Sequence, residues 1–324
     1  MSNKISILLV VPFLVCLMTA CGDNNDSGVP DVELADNVLV FTDQEIPNFY
    51  LQEAIDEGEK DPATRLSGDI RGRKITIVKL SGKTNHFGRD QDLQYIDYHA
   101  TVPDTKVWIS EYPDTRDLNI QTDETGWWTM YIVKDAGEDI EFSFIYEKED
   151  WITTKTNVIT IGDQDDTDLA IQFIEPYFFT YAMLPLVEGM MRANGYPNFF
   201  FRNAMVVTVG KSWGSMHDDR LPHGDPGAIV NISPASEDYI GPIYFNKDVI
   251  PDLNQLDVSV DGGVTWLNMP LNGTYLVSAE KSGVNYPTVK FRVTDADVAH
   301  GVQLYIASPP DSLEGDNDSP PGEP

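Results

Sequence analysis

From about residue 100 to residue 310 the apolar residues fall in short runs about ten residues apart, with turn residues between them. No long 3.6-residue periodicity competes with that pattern, so it points to a β architecture. Residues 106–109, 128–133, 140–146, 157–161 and 169–174 read as strands. They are separated by Pro113-Asp114, Glu124-Thr125-Gly126, Asp135-Ala136-Gly137 and Gly162-Asp163-Gln164-Asp165-Asp166. A second series covers residues 204–209, 228–232, 243–245, 256–260, 264–268, 274–279, 288–293 and 302–307. Side chains alternate across a strand, so such runs bury one face and suggest a β-sandwich or barrel. Helical patterns are few. Residues 49–59 form one candidate and residues 180–194 another, between the two β regions, with Pro185 starting or kinking it. Its Met183, Leu184, Leu186, Val187, Met190 and Met191 read as core or interdomain packing before they read as a ligand groove.

The two β regions share an internal pattern. The first runs Thr122-Asp123-Glu124-Thr125-Gly126-Trp127-Trp128, then Gly137, then Phe142-Ser143-Phe144 and Lys148. The second runs Val260-Asp261-Gly262-Gly263-Val264, then Asn272-Gly273-Thr274-Tyr275, then Val277-Ser278-Ala279 and Lys281-Ser282-Gly283. In each, an Asp–Gly turn opens a strand, a Gly turn follows, and an alternating strand ends at a Lys. At these residues the sequence resembles the carboxypeptidase regulatory-like modules, whose fold is the transthyretin (prealbumin) type of Greek-key β-sandwich. Residues 203–309 match better than residues 63–176, which depart at Gly137-Glu138-Asp139-Ile140 and Lys148-Glu149-Asp150. The resemblance implies two such sandwiches and no catalytic residues, since these modules act as structural, stabilising or ligand-binding appendages.

The N-terminus places the chain. Lys4 precedes a nearly continuous apolar run from Ile5 to Met18, too short for the about 20 residues a spanning helix needs and of signal-peptide length. Leu17-Met18-Thr19-Ala20-Cys21-Gly22 resembles the bacterial lipobox, with Met18 where Leu is more usual. That resemblance implies lipidation of Cys21, and Gly22 after it implies the outer membrane. An ordinary signal peptide cut nearby is the plainer alternative.

The expected organisation is a signal peptide over residues 1–20, a flexible tether over 21–38 and an N-terminal extension over 39–62. A first β-sandwich over 63–176, a helical linker over 177–202 and a second β-sandwich over 203–310 follow. Residues 311–324 read as a disordered acidic tail.

Formal charge is −30, which repels phosphate backbones and makes nucleic acid a poor partner. Solubility or salty surroundings explain such acidity, and binding of hard cations such as Ca²⁺ is the sharper explanation. The two cysteines, Cys16 and Cys21, both fall in the N-terminal segment, so no disulfide staples the β regions and burial must hold them.

Several stretches invite a chemical reading. Gly210-Lys211-Ser212-Trp213-Gly214 matches the nucleophile-elbow pattern, with His300 downstream. An elbow needs a helix next, and Pro222, Gly224, Pro226 and Gly227 cannot propagate one. A serine hydrolase through Ser212 is therefore the remotest alternative. His217, Asp218, Asp219, Arg220, His223 and Asp225 form the most site-like loop, and His217, Asp219, His223 and Asp225 could hold Zn²⁺ or a similar ion. Against that, Arg220 opposes a cation, and Asp side chains cap turns. Asp163, Asp165 and Asp168 have the composition of a Ca²⁺-binding turn without the EF-hand layout, and a solvated strand connection is the favoured reading of them. Trp127, Trp128, Trp151 and Trp213 could line a carbohydrate-binding face, although alternation sends one of Trp127 and Trp128 into the core.

The reading that unites these features is a lipid-anchored envelope protein, a non-catalytic scaffold or binding module needing no cofactor. Its partner is another envelope protein or a carbohydrate. The alternative is a binding protein that depends on Ca²⁺ or Zn²⁺.

Overall fold

A computed structural model describes residues 38–41, 65–70, 73–86, 101–162, 177–178, 184–210, 224–248 and 250–307. All of them belong to one compact unit, Leu34–Pro324. The chain is mainly β, in several sheets, with a sandwich rather than a closed-barrel arrangement among the described residues.

In chain order the first strands are β1 (Val38–Phe41), β2 (Arg65–Ile70), β3 (Arg73–Lys83) and β4 (Asn85–His86). After them come β5 (Lys106–Ile109), a 3₁₀ turn (Pro113–Leu118), β6 (Trp127–Asp135), β7 (Ile140–Phe142), β8 (Phe144–Glu147), β9 (Thr153–Thr156), β10 (Ile159–Ile161) and β11 (Tyr177–Phe178). Helix α1 (Leu184–Ala193) precedes β12 (Ala204–Thr208), β13 (Ile229–Ser233), β14 (Ile240–Phe245), β15 (Pro251–Asp252) and β16 (Gly263–Leu267). The chain then forms β17 (Gly273–Glu280), β18 (Val289–Val293), the short helix α2 (Asp295–Ala299) and β19 (Val302–Ile306).

An eight-stranded sheet in the order β15-β14-β16-β12-β19-β9-β8-β5 organises the unit. The two β regions share it: β5, β8 and β9 come from the first and the rest from the second. Its seam is parallel, because β19 pairs with β9 on one side and β12 on the other in the same direction. A four-stranded antiparallel sheet, β1-β6-β3-β2, and a three-stranded one, β13-β17-β18, supply the facing layers.

Side-chain alternation explains how one sheet serves several cores. On β12, Met205 and Val207 join the cluster containing Tyr275, Val277 and Phe291. Ala204 and Val206, which alternate with them, join the cluster containing Met191 of α1 and Phe199. A strand buried on both faces reads as an uninterrupted apolar run, which is why Ala204–Val207 shows no polar alternation. The same device recurs on β5, where Trp108 enters the first cluster. Val107 and Ile109 pack instead with Val78, Leu80, Met130 and Phe144. Burying each such side chain contributes about 1.5–3 kcal/mol.

Helix α1 lies within the expected residues 180–194, and Pro185 sits in its first turn, where a missing N–H costs nothing. Residues 256–260 differ from expectation. Val258 is buried, but the segment is irregular, its backbone meeting Gly227 and Ala228 rather than a neighbouring strand. Residues 49–59, 169–174 and 311–324 lie outside the described residues.

Candidate functional site

Of the residues singled out for chemistry, Cys21, Asp163, Asp165, Asp168, Ser212, His217, Asp219 and His223 lie outside the described residues. Asp225 is described. It sits just after Gly224, whose backbone N–H donates to Val260 O at 2.8 Å, and its own N–H donates to Val209 O at 2.9 Å. Its side chain is buried, 4% exposed. Lys281 Nζ donates to Asp225 Oδ1, and Tyr286 O–H donates to Oδ2 at 2.5 Å. Burial first, and then the hydrogen bond and charge of Asp225, push the Tyr286 phenol well above its usual range.

The carboxylate thus already holds a cation of the chain's own, and it ties the Lys281-Ser282-Gly283 turn to the segment entering β13. Lys281 and Tyr286 lie 56 and 61 residues from Asp225, and composition around residues 217–225 gave no sign of either. Among the described residues no three His, Cys, Asp or Glu side chains are grouped to hold a metal ion. A pocket lined by Val207, Val209, Val230, Val277, Tyr286 and Ala307 adjoins Tyr286 and has a volume of about 30 Å³, room for one or two waters.

The loop below Asp225 is built on backbone contact. A Cβ at Gly224 would stand 2.2 Å from Ser259 O and 2.3 Å from Gly262 N. Next to Gly262, the Asp261 carboxyl is pushed up to about 6 by burial, only partly offset by the N–H of Gly263, which donates to its Oδ2 at 3.1 Å.

A second buried polar group lies on the seam of the large sheet. Lys155 Nζ on β9 donates to Asp297 Oδ1 on α2 at 2.8 Å, with both side chains 1% exposed. Thr294 N–H donates to Asp297 Oδ2 at 2.8 Å, and Asp297 N–H returns a bond to Thr294 Oγ1, the reciprocal pair of a capping box. Tyr305 O–H also donates to Oδ2, at 3.2 Å, and burial with the Asp297 charge raises its phenol far above normal.

The tryptophans separate as alternation requires. Trp128 points inward and is 2% exposed, as are Trp108 and Trp266 at 0%, while Trp127 and Trp151 are half-buried. Trp213 lies outside the described residues. Among the described residues the exposed aromatics are others: Phe200 is 69% exposed and Tyr196 is 38% exposed, on the turn that follows α1. Asn268 fixes that turn, its Nδ2 donating to Phe200 O at 3.0 Å and its Oδ1 accepting from Arg202 N–H at 2.9 Å.

No family model matches the sequence, and no curated protein matches it. Among solved structures, the chain is similar to a family 26 carbohydrate-binding module from Eubacterium rectale in complex with maltoheptaose. Identity there is 9%, the match covers 72% of this chain and 94% of that one, and the TM-score is 0.21.

Proposed function

We propose that this chain is a lipid-anchored protein of the bacterial cell envelope, held by Cys21, that acts as a non-catalytic scaffold or binding module. The observation that carries this reading is how the described fold uses its buried ionisable groups. Lys155 and Asp297 hold one another, and Asp225 holds Lys281 and Tyr286, so these charges serve cohesion between elements. The export signal with its lipobox and the tether over residues 21–38 support the anchor. The Asp–Gly and Lys-Ser-Gly turns support two transthyretin-like modules over residues 63–176 and 203–310. The partner we favour is another envelope protein or a carbohydrate, met by the exposed Tyr196 and Phe200.

The test is photo-cross-linking in intact cells with a benzophenone amino acid at position 200. A discrete adduct with one envelope component, absent when the probe is moved to exposed Asp248, supports a binding module. No adduct, together with fluorophosphonate labelling that Ser212→Ala abolishes, would replace it with the hydrolase reading. A melting midpoint that rises with Ca²⁺ or Zn²⁺ and loses that response in His217→Ala with His223→Ala would favour the metal-dependent alternative. An ion at about 100 times its dissociation constant adds roughly 2.7 kcal/mol.

A further inference from the structure

We infer that Lys155 and Asp297 are the two halves of an intramolecular isopeptide bond, a self-made cross-link between the β regions. Three features of the site prepare that reaction. First, the reacting groups touch, with Nζ 2.8 Å from Oδ1, and each side chain is 1% exposed, so water does not separate them. Holding reactants in this way replaces a bimolecular encounter by an effectively unimolecular step. Second, Oδ2 accepts from a backbone N–H, that of Thr294 at 2.8 Å, and from the Tyr305 hydroxyl at 3.2 Å. These two donors aim at the oxygen on which negative charge develops when Cγ becomes tetrahedral. Third, the ion pair is buried, and an amide in its place removes both charges from a site where each is costly to desolvate.

The chemistry balances within the pair. Nζ passes one proton to Oδ1 and attacks Cγ with the freed electron pair, forming the C–N bond. Charge moves onto Oδ2, held by Thr294 and Tyr305. A second proton passes from nitrogen to Oδ1, the C–Oδ1 bond breaks, and water leaves. Ammonium and carboxylate become amide and water, with no oxidant and no proton from outside.

The position gives the bond a purpose. Lys155 lies on β9, the last strand of the first region at the shared seam, and Asp297 lies 142 residues away in α2, which leads into β19. The β regions contain no cysteine, so this bond would supply the covalent staple that a disulfide supplies elsewhere.

The experiment is peptide mapping of the full chain after complete denaturation and tryptic digestion. Trypsin does not cut after an acylated lysine. The wild-type protein is expected to yield a branched peptide joining the segment that contains Lys155 to residues 293–324, lighter than the two together by one water. Lys155→Met and Asp297→Ala are expected to give only linear peptides. Because either variant could fail to fold, the wild-type digest alone decides: full recovery of linear 149–155 and linear 293–324 would overturn the proposal and leave an ion pair. Tyr305→Phe preserves the packing and is expected to leave a measurable fraction unlinked. Complete linkage in that variant would overturn the role given to Tyr305.

Discussion

Tyr286 O–H donates to Asp225 Oδ2 at 2.5 Å, and through it the turn after β17 is fastened to the entrance of β13. Removing the acceptor leaves the Tyr286 hydroxyl and the Lys281 ammonium without their partner. Asp225→Ala is therefore expected to destabilise the fold by about 2–4 kcal/mol, and Tyr286→Phe by about 1 kcal/mol. Urea unfolding of both variants checks the order. Equal losses would mean that Lys281, 31% exposed, contributes nothing through Asp225.

Gly224 and Gly227 separate steric crowding from backbone strain. A methyl at Gly224 meets backbone at 2.2 Å and 2.3 Å, which only a shift of the main chain relieves. At Gly227, with φ +86, nothing stands within 4 Å of a Cβ, so only the left-handed conformation is penalised. Gly224→Ala is expected to cost about 3 kcal/mol or more, and Gly227→Ala about 1–2 kcal/mol. Similar midpoints in thermal melting would contradict the account of this loop.

Asp261 gives a pH signature. Its folded pKa of about 6 lies above the 3.8 ordinary for an aspartate, so the folded state binds the proton more tightly. Its stabilising contribution is full below about pH 4 and is lost as pH rises to about 6, by an amount on the order of 1–3 kcal/mol. Asp261→Asn keeps an acceptor for the Gly263 N–H and removes the titration. The variant is expected to be the more stable above pH 6 and to show a flatter profile between pH 4 and 6. Denaturant midpoints across that range decide, and parallel profiles would assign the slope to other carboxylates.

Much of the fold could be read from the chain because burial writes itself as alternation. That one of Trp127 and Trp128 turns inward, the strand over residues 274–279 and the helix within residues 180–194 all follow from local pattern; Trp128 is the inward one. What escaped is what depends on distant partners. Strand β9 reads Thr-Thr-Lys-Thr, a polar run with no apolar face, yet Thr154, Lys155 and Thr156 are buried because Asp297 neutralises the lysine. The Thr294-x-x-Asp297 capping box is legible as a helix start, but the helix it opens, Asp295–Ala299, is too short to show an apolar periodicity. Asp225 was marked for its company of carboxylates and imidazoles, whereas its partners come from a turn that no local window contains. The sharing of one sheet by both regions escaped for the same reason, since β9 finds β19 far along the chain, Thr153 facing Val302 and Lys155 facing Tyr305.

The most direct test of the central claim is acyl labelling of the full chain in bacteria fed an alkyne fatty acid, with the membrane and soluble fractions compared. The account predicts that the wild-type protein carries the label and sediments with membranes, while Cys21→Ser is unlabelled and leaves them. A wild-type chain without label, or a Cys21→Ser variant labelled as strongly, would contradict it.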